Sequence, residues 1–323
     1  MSNSVRALIA PQYGGPEVLE VVDVADTAPA AHEVVIDVRA SGINPIDAKI
    51  ASGVRGGKDP SRLPLRLGFE ASGVVAALGP QTANGADGLP LAVGDEVVAF
   101  RIQGAHASRV TVRAADVLRK PAALSFAEGA SLLLVGTTAV HALDTVGVGE
   151  GDTVLIHGAG GSVGKAAIQL AVLRGARVIG TASAARAAEI EALGATPVEY
   201  GPGLLDRVRA LGVTVDAAID CIGTDEALEV SRAVLADPGR LVTIVNGPPV
   251  QAAGGHSIGG APGADPGTEL RDRARPELLR LAAEGKLSVP VVASYALEDA
   301  RAAYEHMAEG HAGGKIVLIP QAS

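Results

Sequence analysis

TVLIHGAGGSVGKAAIQLA, residues 153–171, decides the fold. An apolar run with strand character enters a glycine-rich turn, and the turn enters a stretch of helix formers. Strand, glycine turn and helix in that order present backbone N–H groups to a phosphate. Two nucleotide loops share this outline. A triphosphate loop needs G-x-x-x-x-G-K-[ST]. Counted back from Gly164–Lys165, its first position is Ala159 and its last is Ala166, which has no hydroxyl for Mg²⁺. A dinucleotide turn needs G-x-G-x-x-G, and positions 159, 161 and 164 read Ala, Gly and Gly. Gly161 then admits the pyrophosphate and Gly164 lets the helix pack on the strand, with Ala159 at the tight-turn position. The stretch reads as a dinucleotide turn formed by Gly158, Ala159, Gly160, Gly161, Ser162, Val163 and Gly164.

Outward from the turn, strands and helices alternate. RVIGTA (177–182), VDAAID (215–220) and RLVTIV (240–245) read as strands. Ser162–Arg174, Ala184–Leu193 and Asp225–Leu235 read as helices. Short apolar strands alternating with helices predict an α/β fold with a parallel sheet covered on both faces. Residues 1–120 differ: short strands punctuated by Gly and Pro predict a β-rich domain. Residues 125–143 have helical length, with Ser125 as N-cap and Glu128 at capping-box spacing. The Gly/Pro/Ala-rich 248–269 reads as a linker or loop. A helix over 269–286 is expected to be interrupted at Pro276, and a helix over 295–310 precedes a closing strand.

The end of the second strand identifies the nucleotide. A ribose 2′-hydroxyl calls for an Asp or Glu about twenty residues beyond the turn. The chain has Thr181, Ala182 and Ser183 there, and its first acid, Glu189, lies inside the next helix. Arg186 can reach a 2′-phosphate. Small hydroxyls, a cation and no acid favour NADPH.

Composition excludes other classes. The 323 residues carry a formal charge of −9, with no Trp, three Phe and four Tyr. Nucleic acid and anionic membranes are not expected partners. Cys221 is the only cysteine, so no intramolecular disulfide forms. The apolar stretch Ser131–Leu143 is interrupted by Gly136 and too short to span a bilayer. No signal-peptide core is read at the N-terminus, and a cytoplasmic location is expected.

Several segments occur in the order of one known family. GINPIDAKIASG (42–53), LGFEASGVV (67–75), VGDEVVAF (93–100) and LLLVGTTAVHAL (132–143) precede HGAGGSVG (157–164). LGATPVEY (193–200), DCIG (220–223), GRLVTIVNG (239–247) and GGKIVLIP (313–320) follow it. The chain resembles the medium-chain dehydrogenase/reductase superfamily, within it the zinc-free quinone oxidoreductase and enone reductase group. The resemblance implies a GroES-like catalytic domain over 1–124 and 266–323, and a Rossmann NADPH-binding domain over 125–265. It also implies a homodimer, with the strand region near 245–255 pairing between subunits.

Zinc members of the superfamily carry a Cys where this chain has Asn44 and a His where it has Phe69. His106 and His141 show no ligand spacing and read as surface or second-layer residues. No metal is therefore expected. Without one, the easier reaction is hydride transfer to a quinone, enal or enone, with negative charge developing on the conjugated oxygen. In NPIDAK, Asn44 offers an amide donor, Lys49 a cation or proton, and Asp47 an orienting or ribose-binding carboxylate. Lys49 looks more like the enone and alkenal reductases of the group. By resemblance, Thr138 and Asn44 lie near the nicotinamide, Tyr200 beside the 2′-phosphate and adenosine, and Ile222 and Gly223 near the adenine. Val245, Asn246 and Gly247 would reach the carboxamide. Lys315 is a shared feature without an assigned role. An alternative is a crystallin-like or regulatory protein that binds NADPH with little turnover.

Overall fold

The structure, a computed structural model, describes residues 4–310 and 312–320. The chain begins with β1 (Ser4–Ala10), β2 (Glu20–Ala25), β3 (Glu33–Gly42), α1 (Pro45–Ala51), β4 (Leu65–Arg66) and β5 (Glu70–Leu78). It continues through β6 (Glu96–Phe100), β7 (Arg109–Arg113), β8 (Val117–Arg119) and α2 (Phe126–Thr145). The alternating block follows: β9 (Thr153–His157), α3 (Ser162–Leu173), β10 (Arg177–Ala182), α4 (Ala187–Ala192), β11 (Ala195–Glu199) and α5 (Leu204–Arg209). Then come β12 (Ala217–Asp220), α6 (Asp225–Val234), β13 (Leu241–Thr243), α7 (Gly247–Ala252), β14 (His256–Ser257) and α8 (Thr268–Ala283). β15 (Val291–Ala296), α9 (Ala300–Ala308) and β16 (Lys315–Ile319) close the chain.

Two compact units result, one formed by residues 1–134 with 289–323 and the other by 135–288. In the central unit six parallel strands run in the order β11-β10-β9-β12-β13-β14. The chain winds outward from β9 through β10 and β11, then resumes on the other side of β9 with β12. That reversal between β9 and β12 is the switch point at which Rossmann folds open a ligand crevice. All five residues of β9 are buried, as a strand covered on both faces requires. Leu155, Ile179, Val198, Leu204, Val208 and Leu241 build one core of this unit.

The other unit holds a three-stranded antiparallel sheet, β2-β1-β4, and a seven-stranded sheet ordered β15-β16-β3-β5-β6-β8, with β7 also paired to β3. Both chain ends contribute: β16 pairs antiparallel with β3 through Val317–Gly42 and Leu318–Ser41. Leu8, Ile43, Leu67, Tyr304, Ile316 and Leu318 share one core cluster.

Five expectations need correction. The divisions fall at 134/135 and 288/289, not at 124/125 and 265/266; residues 1–3 and 321–323 of the expected ranges lie outside the described residues. α8 belongs to the central unit, and a Cβ built on Gly136 would lie 3.0 Å from Leu278 Cδ1 of α8. Pro276 does not interrupt α8, and the Asp272 carbonyl that loses its usual partner there accepts from Arg275 Nε at 3.4 Å. Region 248–269 is not plain loop, and 245–255 is not a strand: α7 starts at Gly247, and the sheet's outer strand is the short β14. α2 runs for twenty residues through Gly136. It is long and apolar enough to cross a membrane by length and composition, but 72% of that window is buried within the protein.

Candidate active site

In the central unit the glycine turn joins β9 to α3. Gly158 has φ +70°, a left-handed conformation that glycine adopts without strain. The tight-turn role therefore falls one residue before the expected position. Ala159 is fully buried, and its methyl fits because residue 180 is glycine: a Cβ there would lie 2.9 Å from it. A Cβ on Gly164 would lie 2.4 Å from the Gly158 carbonyl oxygen and 2.7 Å from Ala159 Cα. A Cβ on Gly161 would meet only the Gly158 oxygen, at 3.4 Å. The fold thus requires Gly164, whereas the space beside Gly161 stays open for a ligand. Ser162 and Val163 begin α3, with Gly161 as its extended N-cap.

Hydrogen bonds fix the turn from below. Ala159 N donates to Thr181 O at 2.9 Å, and Gly158 N donates to Thr181 Oγ1 at 3.3 Å. His157 lies beneath, with Nε2 3.1 Å from Ser231 Oγ. Burial holds its imidazole down to about 4, so the ring is neutral at physiological pH.

The next strand ends are organised by a pair that sequence reading missed. Asp220 Oδ1 accepts from Ile222 N at 2.9 Å and from Gly223 N at 2.7 Å. Its Oδ2 accepts from Thr243 Oγ1 at 2.7 Å. Thr243 Oγ1 in turn accepts from Val245 N at 3.1 Å and Asn246 N at 3.3 Å. Asp220 and Thr243, both buried, thereby set the loops after β12 and β13 together. Asn246 is the N-cap of α7, and a Cβ on Gly247 would lie 2.4 Å from Ser257 Oγ. Tyr200 (53% exposed), Ile222 (53%) and Val245 (43%) present apolar surface just beyond β11, β12 and β13. Cys221 is half-buried, and burial together with the Asp220 charge holds its thiol far above the ordinary value. A thiol held protonated in this way lacks the thiolate that a cysteine nucleophile needs.

Ser183 follows β10, and its carbonyl accepts from Arg186 N at 2.9 Å. The Arg186 stem passes the turn, so a Cβ on Gly160 would lie 2.7 Å from Arg186 Cδ. Its Nη1 lies 3.3 Å from Glu189 Oε2. Glu189 Oε1 pairs with the buried Lys165. The first acid after the turn is therefore folded back among cations. Thr138 is nearly buried on α2. His141 is buried, not superficial, and lies 3.2 Å from Asp265.

The expected catalytic residues belong to the other unit. Asn44 is 2% exposed. Its Nδ2 donates to Gly42 O at 3.2 Å and to Glu70 Oε1 at 3.0 Å, and its Oδ1 accepts from Lys315 Nζ. Both amide hydrogens are engaged inside the unit, which corrects the expectation of an amide directed at substrate. Lys315 Nζ also reaches Glu70 Oε1 at 2.8 Å and Ile43 O at 3.0 Å, and Glu70 Oε2 accepts from Leu134 N at 3.0 Å. Lys315 thus has a role: it holds Asn44 and neutralises Glu70 in the interior. Lys49 lies on the exposed face of α1.

Asp47 is fully buried. One oxygen accepts from Asn44 N at 2.8 Å, capping α1, and the other from Gly68 N at 3.2 Å. It positions backbone and has no surface for a ribose, another correction. Burial pushes its carboxyl up to about 7. His106, also fully buried rather than superficial, has Nδ1 2.9 Å from Ser41 Oγ and Nε2 3.9 Å from Asp47 Oδ2. Burial, with the Lys315 charge, pushes its imidazole down to about 3.

These two shifts oppose each other in pH. Unfolded Asp loses its proton near pH 4, while folded Asp47 keeps it to about 7, so this group lowers stability as pH rises through that window. Unfolded His gains a proton near 6.5, while folded His106 refuses it down to about 3, so this group lowers stability as pH falls. Between pH 4.5 and 6.5 each slope approaches about 1.4 kcal/mol per unit, with opposite sign. Relative to wild type, His106→Gln is expected to gain stability on acidification and Asp47→Asn to lose it. Urea midpoints at several pH values read this directly, and parallel profiles for all three proteins contradict it.

The alcohol dehydrogenase GroES-like domain model matches residues 30–123, and the zinc-binding dehydrogenase model matches residues 193–318. The quinone oxidoreductase of Salmonella typhimurium is 34% identical over 96% of this chain and 98% of its own. The chain belongs to the quinone oxidoreductase group of the medium-chain dehydrogenases/reductases. Among solved structures, Escherichia coli quinone oxidoreductase complexed with NADPH aligns with TM-score 0.84 at 30% identity, covering 98% of this chain and 100% of that one. The CurK enoyl reductase aligns with TM-score 0.84 at 26% identity, over 99% and 100% of the two chains. Glu70 was legible in the sequence only as the acidic position of LGFEASGVV, and His106 only as a histidine without ligand spacing. Both are buried, which a local motif does not display.

Proposed function

We propose that the chain is an NADPH-dependent, metal-independent oxidoreductase that reduces a quinone or an α,β-unsaturated carbonyl. The observation carrying this reading is the switch-point turn of the central unit, with Arg186 beside Gly160 and no acid at Ser183. Gly158 to Gly164 would receive the pyrophosphate. Ser183, Arg186 and Tyr200 would take the phosphorylated adenosine ribose, and Ile222 and Gly223 the adenine side. Val245, Asn246, Gly247 and Thr138 would serve the nicotinamide. NADPH supplies a hydride when bound.

The donor set does not fit a resident zinc ion. Asn44 and Phe69 replace two ligand types, Asn44 is already bonded to Lys315 and Glu70, and among the described residues no group of three His, Cys, Asp or Glu is placed to hold a metal. Lacking Lewis-acid polarisation of an alcohol, the site suits an acceptor that is already electron-poor. Within the other unit, Asn44, Asp47, Glu70 and Lys315 form a buried polar network, and Lys49 is an exposed cation that would serve a developing enolate. In the cell we place the enzyme in the cytoplasm as a homodimer joined along β14.

Turnover tests the reading. With quinones, enals and enones, absorbance at the NADPH band is expected to fall, faster with NADPH than with NADH, and unaffected by a metal chelator. Tight NADPH binding without turnover on any acceptor would favour a crystallin-like binding protein instead.

A further inference from the structure

The 2′-phosphate reading leaves one residue unexplained. Lys165, in the first turn of α3, has a side chain only 2% exposed, and it pairs with Glu189, 39% exposed. Burying an ammonium is costly unless it is paired, and an apolar side chain would fill the same space more cheaply. Glu189 has a second cation: its Oε2 lies 3.3 Å from Arg186 Nη1. Arg186 is the residue whose stem passes Gly160 of the turn.

Consider Glu189 with Arg186 alone. The carboxylate would cancel the Arg186 charge offered to the phosphomonoester and repel that group directly. It would also be a free acceptor close to the turn, the feature that suits an unphosphorylated ribose. Lys165 changes both. The three charges sum to +1, and both carboxylate oxygens are occupied by cations.

We propose that Lys165 is a specificity-determining residue for the phosphorylated dinucleotide, acting from the protein interior without touching it. It neutralises and holds Glu189, so that the acid does not cancel the Arg186 charge presented to the 2′-phosphate. The inference rests on the NADPH reading above and adds the device that makes it work in a chain with an acid at residue 189.

Titration calorimetry with 2′,5′-ADP and 5′-AMP separates the two ideas, because the probes differ only in the 2′-phosphate. Wild type is expected to prefer 2′,5′-ADP. Lys165→Met is expected to cut that preference about tenfold, equivalent to about 1.4 kcal/mol. Lys165→Met with Glu189→Gln removes the acid together with its buried cation, keeps the Arg186 charge, and is expected to restore the preference. Thermal unfolding of each variant confirms that it is folded. Wild type with no preference overturns both the NADPH reading and this inference. A wild-type preference that survives intact in Lys165→Met, or is lost in the single variant and not restored in the double, overturns the inference alone.

Discussion

Replacing Lys315 by methionine is expected to destabilise the protein by about 3–5 kcal/mol, and replacing Glu70 by glutamine in the same chain is expected to recover most of it. Glu70 is 1% exposed, and its carboxylate receives Lys315, the Asn44 amide and the Leu134 N–H. Without Lys315 it becomes a buried anion without its countercharge. The pair joins β5, β16, the N-cap of α1 and the first half of α2, so the loss reaches four segments of the unit. Glutamine keeps the shape and removes the charge, and a buried ion pair often yields to a neutral pair at little cost. Urea denaturation of the single and double variants measures the coupling. A single variant within about 1 kcal/mol of wild type would show that the interior ion pair is not needed.

The second large effect is at the turn. Gly164→Val is expected to lower NADPH affinity at least about hundredfold, equivalent to about 3 kcal/mol. Its Cβ would lie 2.4 Å from Gly158 O and 2.7 Å from Ala159 Cα, both backbone atoms that move only if the turn moves. Overpacking of this kind also costs stability, about 1–3 kcal/mol. Gly160→Ala provides the contrast, because its Cβ meets the flexible Arg186 stem. Gly161→Ala separates protein from ligand: its Cβ has room in the fold, at 3.4 Å from its nearest neighbour. It is expected to keep wild-type stability and lose binding. Fluorescence titration with NADPH, alongside thermal melts, distinguishes the three. Equal binding by Gly164→Val and wild type would remove the turn from the cofactor site.

Periodicity exposed the central sheet well, because buried parallel strands are short apolar runs and their crossover helices alternate with them. The ends of that unit were harder to read. The Gly/Pro-rich stretch after β13 looks like a domain link, and Pro276 looks like a break, yet α8 continues through it beside Gly136. The turn was recognisable as a turn, but its left-handed residue is Gly158 rather than the position of Ala159, since a motif count does not reveal φ. Hydroxyl and acid positions at strand ends were visible as residues and invisible as a network: Asp220 and Thr243 become a unit only when β12 and β13 pair. Likewise Asn44 read as a donor because its amide is one. The direction of that amide is set by Lys315 and Glu70, which lie far apart in the chain and meet only in the folded unit. Glu189 shows the same limit in the cofactor half: in sequence it is an acid too late to matter, and in space it bridges Lys165 and Arg186.

The central claim is that NADPH held by the turn gives its hydride to an electron-poor acceptor. NADPH carrying deuterium at nicotinamide C4, prepared separately as each stereoisomer, tests this with an enone and mass analysis of the product. One isomer is expected to place a single deuterium on the β-carbon and the other to place none. Reduced product without deuterium from either isomer, or NADPH oxidised with no reduced acceptor formed, would contradict it.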